Sequence, residues 1–179
     1  MKITLAEKLK ELEEELFATS CVQLQYSTTS RIVGPTEVIS ALIATKDSLV
    51  EGVKYVQKRV QGSCSILIVT GDGHFYAIRD RYGRTPVVIG KKDGAMIAVQ
   101  ESCALLNLGY DYVRDLGPGE MVELSPDGET TLIEPGPEMA ICSFLWVYYG
   151  FPASSYEGRN VEMARYRSGS ALAKRDDFA

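Results

Sequence analysis

The sequence predicts an α+β fold in which antiparallel β-sheets are flanked by helices. Between Gly62 and Leu124, short apolar runs rich in β-branched residues alternate with tight-turn signals such as Gly71-Asp72-Gly73 and Asp93-Gly94. Both the runs and their links are too short for parallel βαβ crossovers, which favours antiparallel pairing. With 179 residues, 45% of them hydrophobic, the chain is able to bury the core of one domain.

Helical patterns lie on both sides of this strand-rich stretch. Pro35 favours a helix start, Gly62 is expected to act as a helix C-cap, and Asn160 is expected to act as an N-cap. The alternation of apolar and polar residues in Val22 to Tyr26 is typical of a half-buried strand. Helices are expected over Thr4 to Phe17, from Pro35-Thr36-Glu37 onward, over Glu51 to Gln61, and from Asn160 to about Lys174.

The strands are expected to follow one another as a β-meander. Gly117-Pro118-Gly119 is expected to join two of them as a hairpin. Ala140 to Tyr149 is strongly apolar, and its pattern fits either a buried strand or a buried helix. The expected strands are Ser65 to Thr70, Phe75 to Arg79, Val87 to Gly90, Ala95 to Val99, Tyr110 to Arg114, Met121 to Leu124, and Thr130 to Ile133.

Composition excludes several functional classes. The net charge of −5 and the lack of a basic cluster argue against nucleic-acid binding. No apolar run is long enough to cross a membrane, and the charged N-terminal helix does not fit a signal peptide. The scattered cysteines indicate reduced thiols in a cytoplasmic protein. His74, the only histidine, is expected to face solvent rather than to act as a base, and no zinc spacing or other cofactor motif is present.

Several short motifs occur in an order that resembles one known family. They are Thr36-Glu37-Val38-Ile39, Arg79-Asp80-Arg81-Tyr82-Gly83-Arg84-Thr85-Pro86, Glu101-Ser102-Cys103-Ala104-Leu105, the segment from Tyr112 to Glu120, and the segment from Cys142 to Ser154. Together they resemble the second half of the glutaminase domain, a class II glutamine amidotransferase, of the amidophosphoribosyltransferases. No single motif is specific, but their shared order covers nearly the whole chain.

This resemblance implies a fold and a parent chemistry. It implies a partial or shortened αββα sandwich of the N-terminal-nucleophile hydrolase type over residues 1–158, and a C-terminal helix over 159–179 that resembles the link to an absent phosphoribosyltransferase domain. In the family, glutamine supplies ammonia for phosphoribosylamine synthesis in purine biosynthesis. The family-motif residues expected to have structural roles are Thr36, Glu37, Arg79, Asp80, Gly83, Pro86, Glu101, Ser102, Arg114, Gly119 and Glu120.

The chain departs from the family where the chemistry takes place. It begins with Met1-Lys2 instead of a nucleophilic cysteine, it contains no Asn-Gly pair for the oxyanion, and the glutamine-binding arginine and aspartate are not found. Losing one oxyanion donor alone costs about 3 kcal/mol in the barrier. We therefore expect a pseudoenzyme that acts by association, as a homo-oligomer or with a partner chain that supplies the missing half. Cys142 matches a family iron–sulfur ligand but has no partner ligands, so no metal is expected.

Two alternatives remain open at the sequence level. Processing after Ser20 would make Cys21 an N-terminal nucleophile and restore glutamine hydrolysis. Alternatively, Arg79, Arg81, Arg84 and Lys91 could hold phosphates in a non-catalytic nucleotide-binding module. The simpler interpretation of these cations is a solvated turn with a structural contact between Arg79 and Asp80.

Overall fold

The computed structural model describes residues 35–176, and it divides into two compact units with a boundary between Gln61 and Gly62. The expected helix over Thr4 to Phe17, the expected strand over Val22 to Tyr26, and Cys21 lie outside the described residues. No helix within residues 35–176 is long and apolar enough to cross a membrane.

The first unit contributes two described helices, α1 (Pro35–Ala44) and α2 (Leu49–Arg59). Pro35 occupies the first position of α1, as expected, where its missing N–H costs nothing. Ser48 caps α2 by accepting a hydrogen bond from the backbone N–H of Glu51 at 3.3 Å. The helix ends at Arg59, with Val60 as its cap residue, so the expected C-capping role of Gly62 is wrong.

The second unit contains nine described strands in three antiparallel sheets. The strands are β1 (Ile66–Val69), β2 (Phe75–Ile78), β3 (Val88–Lys92), β4 (Ala95–Val99), β5 (Asp111–Asp115), β6 (Met121–Ser125), β7 (Gly128–Ile133), β8 (Ser155–Tyr156) and β9 (Arg159–Asn160). The first sheet has the order β1-β2-β6-β7, the second has the order β4-β3-β5, and the third pairs β8 with β9. The expected antiparallel pairing is confirmed in every sheet.

The expected continuous meander is wrong, because the chain passes from one sheet to the other. β2 pairs with β6, with Ile78 opposite Met121, whereas β3 pairs with β4 and β5. Gly117-Pro118-Gly119 therefore connects two sheets and does not form a hairpin. A shared core accounts for the division, since Ala77 and Val122 of the first sheet pack in one cluster with Ile89 of the second. Burial of these side chains outweighs the pairing of neighbouring strands.

A short helix, α3 (Cys103–Leu108), lies against the second sheet. The backbone of Gly90 in β3 approaches it so closely that an added Cβ would lie 2.5 Å from the Leu105 side chain. Glycine at this position therefore sets the distance between helix and sheet. A β-bulge between Ile89 and Gly90 shifts the register with β5 at the same place.

The C-terminal segment forms a π-helical turn, Leu145–Tyr149, followed by α4 (Val161–Arg175). The apolar stretch that fitted either a strand or a helix is thus helical at its end. Asn160 caps α4, as expected, by accepting a hydrogen bond from the Met163 N–H at 3.0 Å. Leu145, Tyr156 and Val161 form a small buried cluster against which Trp146 packs.

Trp146 and Arg165 fasten this segment together. The indole N–H of Trp146 donates to the backbone carbonyl of Arg159 at 3.0 Å, and its ring meets Tyr156 edge to face at 6.1 Å between centroids. The Arg165 guanidinium donates to three backbone carbonyls at 2.8–2.9 Å, which belong to Trp146, Tyr148 and Gly150. These carbonyls lie within and just after the π-helical turn. Arg165 therefore satisfies acceptors that the irregular geometry of the turn leaves free.

Candidate functional site

Four family-motif residues lie where the chain leaves the first sheet after β2, namely Arg79, Asp80, Gly83 and Pro86. Arg79, directly after β2, is fully buried. Its guanidinium donates to the backbone carbonyls of Thr85 at 3.0 Å and Gly83 at 2.8 Å, and to that of Leu116. It also forms an ion pair with Glu157 at 2.6 Å. A buried cation needs this many partners to offset its desolvation.

The expectation of a solvated turn is therefore wrong for Arg79. Its side chain points into the protein, because the carbonyls of the following turn and of the link after β5 surround it. Arg81 is exposed, and Arg81 and Arg84 both lie 5.2 Å from the centre of the Tyr82 ring. Lys91 is exposed within β3.

Asp80 organises the turn that follows Arg79. Its buried carboxylate accepts hydrogen bonds from the backbone N–H groups of Tyr82, Arg84 and Thr85 at 3.1–3.2 Å. Its backbone carbonyl accepts from the N–H of Gly119 at 2.8 Å. Asp80 thus stabilises the turn between β2 and β3 and hydrogen-bonds it to the link between β5 and β6.

Gly83 and Pro86 are both buried in this turn. Gly83 has a φ of +61°, and a Cβ there would lie 2.6 Å from the sulfur of Met139. Both the left-handed backbone and the close contact require glycine. The conformation also places the Gly83 carbonyl where Arg79 donates to it.

Arg114 and Glu120 form a second charged group at the other connection. The guanidinium donates to both carboxylate oxygens of Glu120, at 2.7 and 3.0 Å, and its Nε donates to Glu129 at 2.7 Å. Glu120 is buried and also accepts from the N–H of Gly117 at 2.6 Å. Hydrogen bonding to Glu120 raises the pKa of Arg114 above its usual value. The connection through Gly119, with φ +70°, is thereby fixed.

Glu101 and Ser102 join the start of α3 to the third sheet. The Ser154 hydroxyl donates to the Glu101 carboxylate at 2.6 Å, and the Ser155 N–H donates to the Ser102 hydroxyl at 2.7 Å. The buried Ser154 oxygen also accepts from the Cys103 N–H at 3.3 Å. These contacts assign both motif residues to packing of the C-terminal segment.

Thr36 and Glu37 belong to the first turn of α1, in the other unit. A carboxylate in this turn interacts favourably with the positive end of the helix dipole.

The described thiols are free, at Cys64, Cys103 and Cys142. Burial raises the pKa of Cys64, with a further contribution from the charge of Asp80, so this thiol is a poor nucleophile. The backbone N–H of Cys142 donates to the Arg84 carbonyl at 3.1 Å. Within residues 35–176, no group of three or more His, Cys, Asp or Glu side chains is arranged to hold a metal ion.

Sequence reasoning missed Glu157, the acidic partner of Arg79. Glu157 and Gly158 both have positive φ values, +49° and +70°, in the two-residue turn between β8 and β9. A glutamate at such a position is unusual, because asparagine or glycine is favoured there. An acidic residue before glycine, between two short polar strands, was the available signal.

The described fold matches part of solved PRPP amidotransferases. One is the glutamine phosphoribosylpyrophosphate (PRPP) amidotransferase from B. subtilis, solved in complex with ADP and GMP, with a TM-score of 0.79 and 26% identity over 95% of this chain and 36% of that chain. Another, described as the allosteric regulatory enzyme of purine biosynthesis, gives a TM-score of 0.81 and 26% identity over 96% of this chain and 36% of that chain. No family model matches the sequence.

Sequence relatives named amidophosphoribosyltransferase support the same relationship. The protein from Methanocaldococcus jannaschii is 32% identical over 165 residues, covering 83% of this chain and 34% of the relative. The protein from Rhizobium etli is 35% identical over 152 residues, covering 78% of this chain and 29% of the relative. The chain is thus homologous to part of the amidophosphoribosyltransferases, and it spans about a third of the length of the curated relatives that it matches.

Proposed function

We propose that this chain is an amidophosphoribosyltransferase-like glutamine amidotransferase domain that has lost glutamine hydrolysis and acts by association. The parent role is the supply of ammonia from glutamine for phosphoribosylamine synthesis in purine biosynthesis. In this proposal, residues 1–158 form a shortened glutaminase-like domain of the N-terminal-nucleophile type, and residues 159–179 correspond to the helix that leads to a phosphoribosyltransferase domain. Its partner is a second copy of this chain or another protein chain.

One observation carries the proposal: the chain keeps the supporting residues of the family motifs without the reactive ones. Arg79, Asp80 and Glu120 are buried, and their hydrogen bonds are made to the protein itself. By contrast, the sequence contains no Asn-Gly pair and no cysteine followed by Gly-Ile or Gly-Val. A site without these groups cannot stabilise the tetrahedral oxyanion in the family's way.

The described thiols support the same conclusion. An N-terminal-nucleophile enzyme needs a cysteine whose own amine acts as the base. Cys64, Cys103 and Cys142 lie within the chain, and burial disfavours the thiolate of Cys64. Arg79 also cannot serve as a substrate clamp, because its side chain is fully buried among backbone carbonyls and Glu157.

Ammonia release from glutamine tests the proposal. The purified chain is expected to give no glutamate or ammonia above the level of a heat-denatured sample. Ammonia release that a cysteine-directed inhibitor abolishes would contradict the proposed inactivity. Intact-mass measurement accompanies the assay, because a mature chain that begins at Cys21 would identify the nucleophile. The Cys21→Ser variant is the matched control for that outcome.

Thermal-shift measurements separate this function from the nucleotide-binding alternative. Glutamine, phosphoribosyl pyrophosphate and purine nucleotides are expected to leave the melting temperature unchanged, since a ligand that binds only the folded state would raise it. A rise with a nucleotide that is lost in Arg81→Gln or Lys91→Gln, but not in Lys58→Gln, would favour a phosphate-binding module instead.

A further inference from the structure

The two large sheets of the second unit do not cover each other completely. Among the described strands, the first sheet has the order β1-β2-β6-β7 and the second has the order β4-β3-β5. On one side, an ion pair of 2.7 Å between Arg114 of β5 and Glu129 of β7 joins the edges of the two sheets. On the other side, β4 lies against β6 and ends the second sheet. The first sheet therefore extends past β4, and β1 is its projecting strand.

The projecting strand carries apolar side chains that the described part of the second sheet does not cover. In the pairing of β1 with β2, Leu67 lies opposite Ala77 and Val69 lies opposite Phe75. Cross-strand partners share one face of a sheet. Ala77 belongs to the core between the two sheets, and Phe75 packs against that core. Leu67 and Val69 thus point toward the layer that the second sheet would fill if it were wider, and both are more than half exposed.

The edge of β4 beside this projection is open to a further strand. Among the described strands, β4 pairs with β3 alone. The sequence of β4 is Ala-Met-Ile-Ala-Val and that of β1 is Ile-Leu-Ile-Val, so neither contains a charge or a proline. Natural edge strands usually carry such residues, which prevent pairing with another chain. The side formed by β1 and β4 lacks this protection, in contrast to the charged side formed by β5 and β7.

We propose that two copies of the chain join through this side, with β1 of each copy pairing with β4 of the other across a twofold axis. The inference rests on the proposed action by association, and it specifies a second copy as the partner. In this dimer, β1 of the partner subunit extends the second sheet and lies over Leu67 and Val69, which become buried. Apolar surface removed from water in this way stabilises an interface by about 25 cal/mol per Å².

Shape and charge both favour a second copy over a different chain. Each copy has a projecting strand and, beside it, the gap that receives one, so a single twofold rotation satisfies both, as an isologous interface requires. A different chain would need a free strand and an apolar face of the same width. Each copy also carries a net charge of −5, so two copies repel wherever their acidic residues meet. Pairing β1 with β4 avoids this repulsion, because neither strand has a carboxylate.

Two charged variants that complement each other test the pairing. Val69 and Met96 lie on the core faces of β1 and β4, so they are neighbours on one face of the joined sheet. Val69→Lys alone and Met96→Glu alone are each expected to raise the dissociation constant of the dimer at least about tenfold, because each buries an unpaired charge. An equimolar mixture is expected to recover dimer, because one joint then pairs lysine with glutamate and the other keeps the original residues. Light scattering after size-exclusion chromatography measures the masses.

A matched charge elsewhere and the pattern of results separate this interface from other forms of association. Thr131→Lys adds the same charge to β7, at the opposite edge of the first sheet, and is expected to leave the dimer unchanged. A dimer that persists in both Val69→Lys and Met96→Glu would overturn this interface, while the proposed action by association would stand. A mixture of folded variants that stays monomeric would overturn the pairing of β1 with β4. An unmodified chain that is monomeric at every concentration would overturn the second copy as the partner.

Hydrogen exchange of the unmodified chain gives a second test that does not depend on how the variants fold. As the chain concentration rises through the dissociation constant of the dimer, backbone amides in both β1 and β4 are expected to exchange at least about tenfold more slowly, because both edges become hydrogen-bonded. Amides of β7 are expected to exchange at an unchanged rate. Protection of β1 without β4, or protection that does not depend on concentration, would mean that something other than a second copy covers this side, which would refute the proposal.

Discussion

The ion pair between Arg79 and Glu157 joins residues 78 positions apart, and the arginine side has no contact with water. A fully buried guanidinium is stable only when its N–H donors have hydrogen-bond acceptors. Here backbone carbonyls provide three of these acceptors. Glu157 adopts a positive φ of +49° in the turn that presents its carboxylate. The ion pair compensates for a backbone conformation that an L-residue rarely adopts.

Replacing Arg79 should therefore lower the free energy of unfolding far more than replacing Arg81. Arg79→Met is expected to lower the free energy of unfolding by at least about 3 kcal/mol, because carbonyls and Glu157 lose their partner. Arg81→Met, the exposed control, is expected to change it by less than about 0.5 kcal/mol. Urea unfolding monitored by circular dichroism measures both, and equal losses would show that the buried network is not the cause.

The single histidine gives a clean test of local electrostatics. A hydrogen bond that the His74 ring donates to the Glu123 carboxylate raises the pKa of His74 above its usual 6.5, and the charge of Asp72 adds to this effect. Because the folded-state pKa is the higher one, the stabilisation is complete below about pH 6.5 and is lost as pH rises through the raised value. The interaction is exposed to solvent, so its effect on stability is expected to be small.

Proton NMR titration of the His74 ring is expected to give a pKa above 6.5, since no other histidine contributes a signal. Glu123→Gln is expected to lower this pKa toward the unperturbed value, and Asp72→Asn is expected to lower it less. A pKa that is unchanged in Glu123→Gln would contradict the assigned hydrogen bond.

At the level of secondary structure, the sequence predicted most strands closely but not their partners. Ala95 to Val99 was predicted and found, because Asp93-Gly94 marks its turn and apolar residues fill it. The assignment of β5 and β6 to different sheets was not predicted. Gly117-Pro118-Gly119 fits either a hairpin within one sheet or a connection between two sheets. Only the packing of the shared core distinguishes the two arrangements.

The candidate site was predictable only in part for a similar reason. The motifs identified Arg79, Asp80 and Glu120, but the burial of Arg79 depends on carbonyls from a distant link and on Glu157. Long-range acceptors leave no local pattern in a sequence.

The sequence predicted Asn160 as the N-cap of α4, and the contribution of this cap to stability is measurable. Asn160 accepts from Met163, and its amide also donates to the carbonyls of Pro152 and Ser154 at 3.2–3.3 Å. Asn160→Ala is expected to lower the free energy of unfolding by about 1–2 kcal/mol. Asn107→Ala, at an exposed position in α3, is the control and is expected to have little effect. Thermal unfolding followed by circular dichroism compares them, and equal melting temperatures would argue against the cap.

At the scale of the whole molecule, the second unit exposes apolar surface. In β1, which is at the edge of its sheet among the described strands, Leu67 and Val69 are 53% and 73% exposed. Both pair with residues of β2 that face the shared core, Ala77 and Phe75. An exposed edge strand with apolar side chains favours pairing with another chain, in keeping with the proposed action by association.

The chain is therefore expected to self-associate in a concentration-dependent way. Size-exclusion chromatography with light scattering is expected to give a mass above the 19.7 kDa of one chain, rising with concentration. Val69→Lys places a charge on the edge strand and is expected to shift the equilibrium toward monomer. Thr131→Lys, an exposed change at the opposite edge of the same sheet, is the control. A monomer at every concentration would argue against a homo-oligomer and leave a different partner chain as the proposed one.

The placement of Trp146 gives the protein an internal optical reporter. It is the only tryptophan in the chain, and it is fixed by Arg159 and Tyr156 within the C-terminal segment. Its emission will therefore follow the docking of that segment and will be largely insensitive to events in the hairpins of the two large sheets. Detachment of α4 would be visible as a red shift in emission even while the sheets stay intact, so fluorescence and far-ultraviolet signals need not change together.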